Sequence, residues 1–183
     1  MRKTGIIIVI IIGLILLWGW SIYNGLVKKQ EAVAATWSQV ENVYQRRAEL
    51  VPNLVAVVKN YAEYEQETLT AVTEARAKAA ASTVDMEHFD ETDFTHFESV
   101  QKELGNSLNR LIVSIENYLN LQAQLAGCEN RIQTERQRFN EATKAYNQSI
   151  RKFPNMLIAK LLGFENRPYF EADEGADRVP ETF

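Results

Sequence analysis

Residues 97–115, FESVQKELGNSLNRLIVSI, carry apolar side chains that recur every three or four positions. This spacing places them on one face of an α-helix, whereas the two faces of a β-strand alternate with period two. Between Pro52 and Pro154 lie 101 residues with no proline and only two glycines, filled mostly with good helix formers. The sequence therefore predicts an all-α fold built from long helices.

Two further helices are predicted upstream of this stretch. Apolar side chains step by three and four positions within residues 33–44 and again within residues 54–75. Proline removes a helical donor and clashes with the preceding turn. We therefore expect the first helix to end at Val51 and Pro52 to lie in the first turn of the second.

An acidic linker, residues 82–93, follows the second predicted helix with five carboxylates and no base. It lacks the glycine and the oxygen spacing of a calcium loop, which favours a solvated connection capped by Thr92 or Thr95 at the next helix. His88 and His96 lie in or beside it, without an evident four-ligand spacing for zinc. A metal-binding or enzymatic bundle using these histidines is the alternative function.

The C-terminal half leaves its topology open. A reversal near residues 117–120 and a single rod of roughly 80 Å both fit the apolar stripe. The last long helix is predicted to end at Phe153-Pro154. The compact apolar segment 156–164 must then dock on the bundle or lie at a membrane surface. The bundle is predicted to cover residues 26–164, and residues 165–183 form an acidic, mostly extended tail whose last dozen residues are mobile.

A membrane span is predicted near the N-terminus, where residues 4–23 read TGIIIVIIIGLILLWGWSIY without a charge. Twenty helical residues cover roughly 30 Å, the thickness of a bilayer core. Aromatic residues gather at the end of the span, as is typical of the interface. A cleaved signal peptide is the alternative. The sequence predicts a membrane anchor at residues 1–25, with bilayer-facing side chains at Ile6, Ile10, Leu14, Leu17, Trp18, Trp20 and Tyr23.

Charges around this span predict its orientation and exclude one class of partner. The amino terminus, Arg2 and Lys3 carry about three positive charges against two from Lys28 and Lys29, which favours a cytoplasmic N-terminus. The whole chain has 20 basic and 24 acidic residues. Its first 30 residues hold four bases and no acid, which leaves an excess of eight acids beyond them. A net negative charge is unfavourable for binding nucleic acid, whose phosphates need basic side chains.

Motifs for catalysis and cofactors are missing from the sequence. A single cysteine excludes an intramolecular disulfide and a cysteine-based zinc site. There is no Gly-x-Ser-x-Gly elbow, no glycine-rich phosphate loop and no Glu-x-x-His pair of a di-iron bundle. We therefore predict no enzymatic activity and no cofactor.

Short motifs along nearly the whole chain resemble the LemA family of bacterial membrane proteins. The sharpest is RRAELVPNLV at residues 46–55, and ENRI at 129–132 and RFNEA at 138–142 agree. The resemblance implies one N-terminal span, an antiparallel bundle of long helices and no established enzymatic activity. The motif residues expected to be structural are Arg46, Arg47, Pro52, Asn53, Leu54, Phe153 and Pro154.

This sequence departs from the family pattern in two places. Tyr64 replaces a histidine that the family often has before Glu65, and the proline-containing connection that usually follows the position of Tyr118 is missing. Two interpretations of Arg46-Arg47 remain open. The pair either forms a structural ion pair or helix C-cap, or binds an anionic partner or lipid headgroup.

These observations predict a noncatalytic, membrane-anchored helical scaffold in the bacterial inner membrane, with its soluble domain on the non-cytoplasmic side. Long amphipathic helices are expected to expose more apolar stripe than a thin bundle covers, and Gly5, Gly13 and Gly19 let transmembrane helices approach. The predicted partners are the lipid bilayer, further copies of the chain and other membrane or envelope proteins, with no nucleic acid.

Overall fold

The protein is described by a computed structural model that covers residues 2–59, 66–86, 88–113 and 119–171. Within these ranges the backbone forms helices and connections and contains no strand, which confirms the all-α class. The helices are α1 (Arg2–Lys59), α2 (Gln66–Ala81), α3 (Glu91–Val113), α4 (Leu119–Arg151) and α5 (Asn155–Leu161).

Helix α1 runs without interruption for 58 residues and joins the predicted anchor directly to the bundle. The predicted break at Val51-Pro52 is wrong, because Pro52 lies inside α1. The helix tolerates it because Pro52 is exposed and the carbonyl that it leaves without a helical donor finds another partner, described below. The remainder of the predicted second helix begins at Gln66 as α2.

The bundle is antiparallel, with α4 packed along α1 and α2 packed against α3. Arg136 on α4 pairs with Glu98 on α3 at 3.1 Å. In a straight rod these residues would lie roughly 57 Å apart, so the single-rod alternative is wrong. The chain reverses between α3 and α4, and residues 114–118 lie outside the described part.

Two apolar clusters fill the interior. The cluster nearer the anchor surrounds Trp37, whose ring lies 5.0 Å from Phe97 and 5.4 Å from Phe139. The second cluster is aliphatic and joins the far half of α1 to α2 and α3 through residues such as Leu54 and Leu104, both 2% exposed or less. The two clusters together fix the antiparallel arrangement.

The bundle covers its apolar stripes more completely than the sequence suggests. Where side chains are described, large exposed apolar residues occur only within residues 6–23 and 153–169. The described side chains between residues 26 and 150 include none, so the expectation that the long helices leave uncovered apolar stripe is wrong for those residues. Facing helices are long enough to cover one another. In the part of the chain with described side chains, exposed apolar surface is therefore concentrated at the anchor end.

The acidic linker is shorter and better packed than expected. It ends where α3 begins, and Asp90 caps that helix by accepting a hydrogen bond from the Thr92 N–H at 2.6 Å. The predicted caps are wrong, since the Thr95 hydroxyl bonds back to the Glu91 carbonyl within the helix. Val84, only 6% exposed, inserts into the cluster around Trp37. The linker is thus partly a core element.

After α4 the chain forms α5 and then an extended strap, residues 164–171. The end of α4 at Arg151 agrees with the predicted end of the last long helix, and the Phe153-Pro154 peptide that follows is cis. The strap contains no helix or strand and lies along α4. The first part of the predicted tail therefore belongs to the bundle, and the dozen residues predicted to be mobile lie outside the described residues.

Candidate functional site

The predicted anchor side chains all lie on one uncovered stretch of α1. Among the described helices α1 alone contains a segment long and apolar enough to cross a bilayer, and no part of that segment is buried by the rest of the chain. The side chains range from 43% exposed at Tyr23 to 71% at Leu17 and Trp20. Exposing such an apolar surface is favourable in lipid and costs free energy in water.

Helix α5 lies against the end of this stretch. A methyl group built on Gly19 would stand 3.7 Å from the Ile158 Cδ1 atom, and the Tyr23 and Phe164 rings meet edge to face at 6.1 Å. Ala159 is buried in the same contact. The predicted alternative that segment 156–164 docks on the bundle is therefore confirmed for one face of α5. Its other face carries exposed apolar side chains.

Arg47 is the buried polar centre of the bundle, at 3% exposed. Its Nη1 atom donates to Glu129 Oε1 at 3.0 Å, and its Nη2 atom donates to the carbonyl of Gln101 at 2.6 Å and to its side-chain oxygen at 2.9 Å. The guanidinium also lies 5.0 Å over the Tyr44 ring. One side chain thus joins α1, α3 and α4.

Gly105 makes room for this network. A Cβ atom added there would lie 3.3 Å from Arg47 Nη1, closer than an ordinary contact. The predicted structural ion pair is therefore correct for Arg47, and the C-cap explanation is wrong because α1 continues past it. Arg46 instead is exposed and borders a shallow groove with Arg131. The two adjacent arginines have different surroundings.

Pro52 and Arg76 form a second structural pair. A proline at position 52 offers no N–H to the Ala48 carbonyl one turn earlier. The Arg76 Nε–H of α2 donates to that carbonyl at 2.9 Å. Asn53 is exposed beside Pro52, whereas Leu54 is buried in the aliphatic cluster. The motif at residues 46–55 therefore positions α2 and α3 against α1.

Two asparagines of α4 hold the strap. Asn147 donates to the Arg167 carbonyl at 2.7 Å and accepts from the Arg167 N–H at 2.9 Å. Asn140 makes the same pair of bonds to Phe170, at 3.0 and 2.9 Å. These bonds satisfy backbone groups that have no partner in a helix or sheet. They hold the strap in a position where the Phe170 ring packs into the cluster around Trp37.

The residues of the metal or enzymatic alternative are not brought together. The His88 Nδ1 atom lies 3.2 Å from Asp85 Oδ2, and both side chains are exposed. His96 lies within α3. In the ranges that the structure describes, no three His, Cys, Asp or Glu side chains converge on a position for a metal ion. His88 and His96 therefore carry no observation that favours this alternative.

Burial shifts the pKa of several groups away from reactive values. It raises the pKa of the Cys128 thiol, with a further rise from Glu129, and it raises the pKa of the Tyr44 and Tyr146 hydroxyls. Cys128 points at the Val43 carbonyl, with Sγ 3.8 Å away. A thiol held in its neutral form is a poor nucleophile and a poor metal ligand.

Comparison with known proteins identifies the family. The family model described as the LemA family matches residues 36–182, which is more than half of the chain. This chain belongs to the LemA family. Three relatives named as magnetosome proteins were also found. Magnetosome proteins MamQ 1 and MamQ 2 of Paramagnetospirillum magneticum and MamQ of Magnetospirillum gryphiswaldense are each 26% identical to it, over 88% of this chain and 70% of theirs.

Sequence reasoning missed several residues that matter in this LemA-family protein. Glu129 and Gln101 complete the Arg47 site, and Asn140 and Asn147 hold the strap. Gly105, one of only two glycines between Pro52 and Pro154, was the available signal for the Arg47 site. Phe153, from the motif at 153–154, is 79% exposed beside α5, which indicates a role at the surface.

Proposed function

We propose that this LemA-family protein is a noncatalytic scaffold of the bacterial inner membrane. One helix crosses the bilayer and carries the bundle, and copies associate side by side. The observation that carries the proposal is the continuity of α1, whose exposed apolar stretch runs into the bundle core without a break. An anchor and a bundle that share one helix move as a unit.

The length of α1 sets the reach of the bundle. Past Tyr23 it continues to Lys59, which corresponds to roughly 54 Å of helix beyond the membrane interface. Arg47 and Pro52 lie in the half of this part of α1 that is farther from the anchor. The Arg47 network and the aliphatic cluster therefore stiffen the part of the bundle farthest from the lipid, where partners approach from the aqueous side.

The chemistry of the described side chains supports a role without catalysis. Burial raises the pKa of the Tyr44 and Tyr146 hydroxyls, of the Cys128 thiol and of the Glu41 carboxyl, and among the described contacts none of the three potential nucleophiles Tyr44, Tyr146 and Cys128 has a hydrogen bond to a histidine or carboxylate that could act as general base. The two terminal nitrogens of Arg47 donate to Glu129 and Gln101, which are groups of the protein itself. The relatives' names assign them to the magnetosome and mention no reaction.

Lateral association is proposed through the anchor. A Cβ built on Gly5 or Gly13 has no described atom from another part of the chain within 4 Å, so both positions are open to a neighbouring helix, whereas one built on Gly19 lies 3.7 Å from Ile158 Cδ1. Small residues permit close packing of transmembrane helices. The predicted surface for association therefore shifts from the bundle to the outer part of the anchor.

Cysteine crosslinking in native membranes tests this association. In a Cys128→Ala background, Ile10→Cys and Leu14→Cys each place one thiol on the anchor, and Gln133→Cys places one on the exposed surface of α4. We expect oxidised dimer from an anchor position and none from Gln133→Cys. Monomer alone at both Ile10→Cys and Leu14→Cys, in membranes with native expression levels, would contradict self-association through the anchor.

The proposed orientation places the N-terminus in the cytoplasm. It rests on the small excess of positive charge before the span. Gln133→Cys, in the same background, should react with a membrane-impermeant maleimide in intact spheroplasts. Labelling that appears only after the membrane is opened would reverse the orientation while leaving the anchor in place.

A further inference from the structure

The outer face of α5 and its flanks form an exposed apolar surface, called here the basal surface. Leu161 is 82% exposed, Phe153 79% and Leu157 59%. The members of the basal surface are Phe153, Met156, Leu157, Leu161 and Leu162. They lie within ten residues of one another, whereas the 125 residues from 26 to 150 show no exposed large apolar side chain where side chains are described. A covering of some kind is therefore needed here.

The position of the basal surface identifies that covering. The buried face of α5 contacts α1 at Gly19 and Tyr23, which is the level of the aromatic residues that end the apolar stretch. Trp20 at the same level is 71% exposed. The basal surface thus lies beside the end of the uncovered apolar stretch, the level at which headgroups would meet acyl chains if α1 spans a bilayer.

The charges around the basal surface match lipid headgroups. All charged residues within 145–164 are basic, namely Arg151, Lys152 and Lys160, in a chain that is acidic overall. Lys29 is held at the same end of the bundle, because its Nζ atom donates to the Ala145 carbonyl at 3.4 Å. Basic side chains next to exposed leucines are typical of segments that lie in the interface of anionic membranes.

We infer that the basal surface inserts into the headgroup region of the same bilayer that α1 crosses, with anionic lipid as its ligand. The inference rests on the proposed membrane anchor. Its consequence is a second attachment point at the base of the bundle, which limits the tilt and rotation of α1. The bundle then stands on the membrane in a fixed pose and presents a defined side to its neighbours.

Site-directed spin labelling of the full chain in vesicles tests the inference. The vesicles contain phosphatidylcholine with a minority of phosphatidylglycerol, at a low ratio of protein to lipid. Single nitroxides are attached in the Cys128→Ala background to Leu161→Cys and, as a second position, Leu157→Cys. Ile10→Cys reports the anchor and Gln133→Cys reports the aqueous bundle. Each label is measured for collision with oxygen, which concentrates in lipid, and with a water-soluble nickel chelate.

We expect the ratio of oxygen to nickel collisions at both α5 positions to be several-fold above that at Gln133→Cys and to approach that at Ile10→Cys. A ratio at the α5 positions equal to that at Gln133→Cys, with Ile10→Cys in lipid, would overturn the inference and leave the anchor intact. An aqueous ratio at Ile10→Cys would refute the anchor itself. Shielding of both α5 labels from both reagents would overturn the inference in favour of a protein contact.

Discussion

At the scale of single residues, Arg47 shows how two adjacent and identical side chains acquire different roles. Arg47 is buried and bonded to Gln101 and Glu129, whereas Arg46 is exposed on the next position of the same helix. Rotation by roughly 100° per residue is enough to separate them. The sequence motif marks both, and only the fold distinguishes the structural one.

Replacing Arg47 should therefore be far more costly than replacing Arg46. Arg47→Met removes the donor to the Gln101 side-chain oxygen and to Glu129, and we expect a loss of about 2–3 kcal/mol in the free energy of unfolding. Arg46→Met should change it by less than about 0.5 kcal/mol. Urea unfolding in detergent, followed by circular dichroism, measures both. A loss below about 0.5 kcal/mol for Arg47→Met as well would show that the buried network adds nothing to stability.

Asp90 gives the fold a pH-dependent helix cap. Its hydrogen bonds with Thr92 lower the pKa of the Asp90 carboxyl below the usual value of roughly 3.9. A lowered folded pKa stabilises the protein fully above the unfolded value, and the stabilisation is lost as pH falls through the folded one. Asp90→Ala should therefore lower the thermal midpoint at pH 7. The difference from the parent protein should shrink as pH falls below about 4. A difference that stays constant with pH would refute the cap's charge dependence.

At the scale of elements, α1 remains continuous through Pro52 because Arg76, 28 positions after Ala48, replaces the missing donor to the Ala48 carbonyl. Helices usually end before a proline, and this rule considers only neighbouring residues, so the sequence predicted a helix end at Pro52. The rule failed because α2 lies close enough for Arg76 to reach the Ala48 carbonyl. No local pattern in residues 48–52 indicates that contact.

Pro52 and Arg76 should accordingly be coupled. Arg76→Met should cost about 1–2 kcal/mol in the parent protein. In a Pro52→Ala background it should cost about 1 kcal/mol less, because the new N–H can satisfy the Ala48 carbonyl. Lys78→Met, which removes an exposed ion pair with Glu103, is the matched control and should show no coupling to Pro52. Additive effects for Arg76 and Pro52 would contradict this explanation.

At the scale of the whole molecule, periodicity and long uncharged runs predicted the all-α class and the apolar stretch, because both reflect burial directly, whereas the antiparallel bundle was implied by the resemblance to the LemA family. It did not predict the strap, since residues 164–171 are held by the side-chain amides of Asn140 and Asn147 and leave no periodic signature. Nor did it predict Arg47 as the polar centre, which required contacts from two distant helices.

The strap is expected to contribute to the stability of the whole bundle through Phe170. This ring is 5% exposed, lies 4.9 Å from Phe94 and 5.9 Å from Trp37, and is covered by the Arg136 guanidinium at 4.7 Å. Phe170→Ala should therefore lower the free energy of unfolding by about 3 kcal/mol. It should also speed hydrogen exchange at the strap amides that Asn140 and Asn147 bind. Tyr169→Ala, at a half-exposed neighbour, should cost less than about 1 kcal/mol. Equal losses in the free energy of unfolding for the two variants, or unchanged hydrogen exchange in Phe170→Ala, would mean that the strap docks without the help of the Phe170 ring.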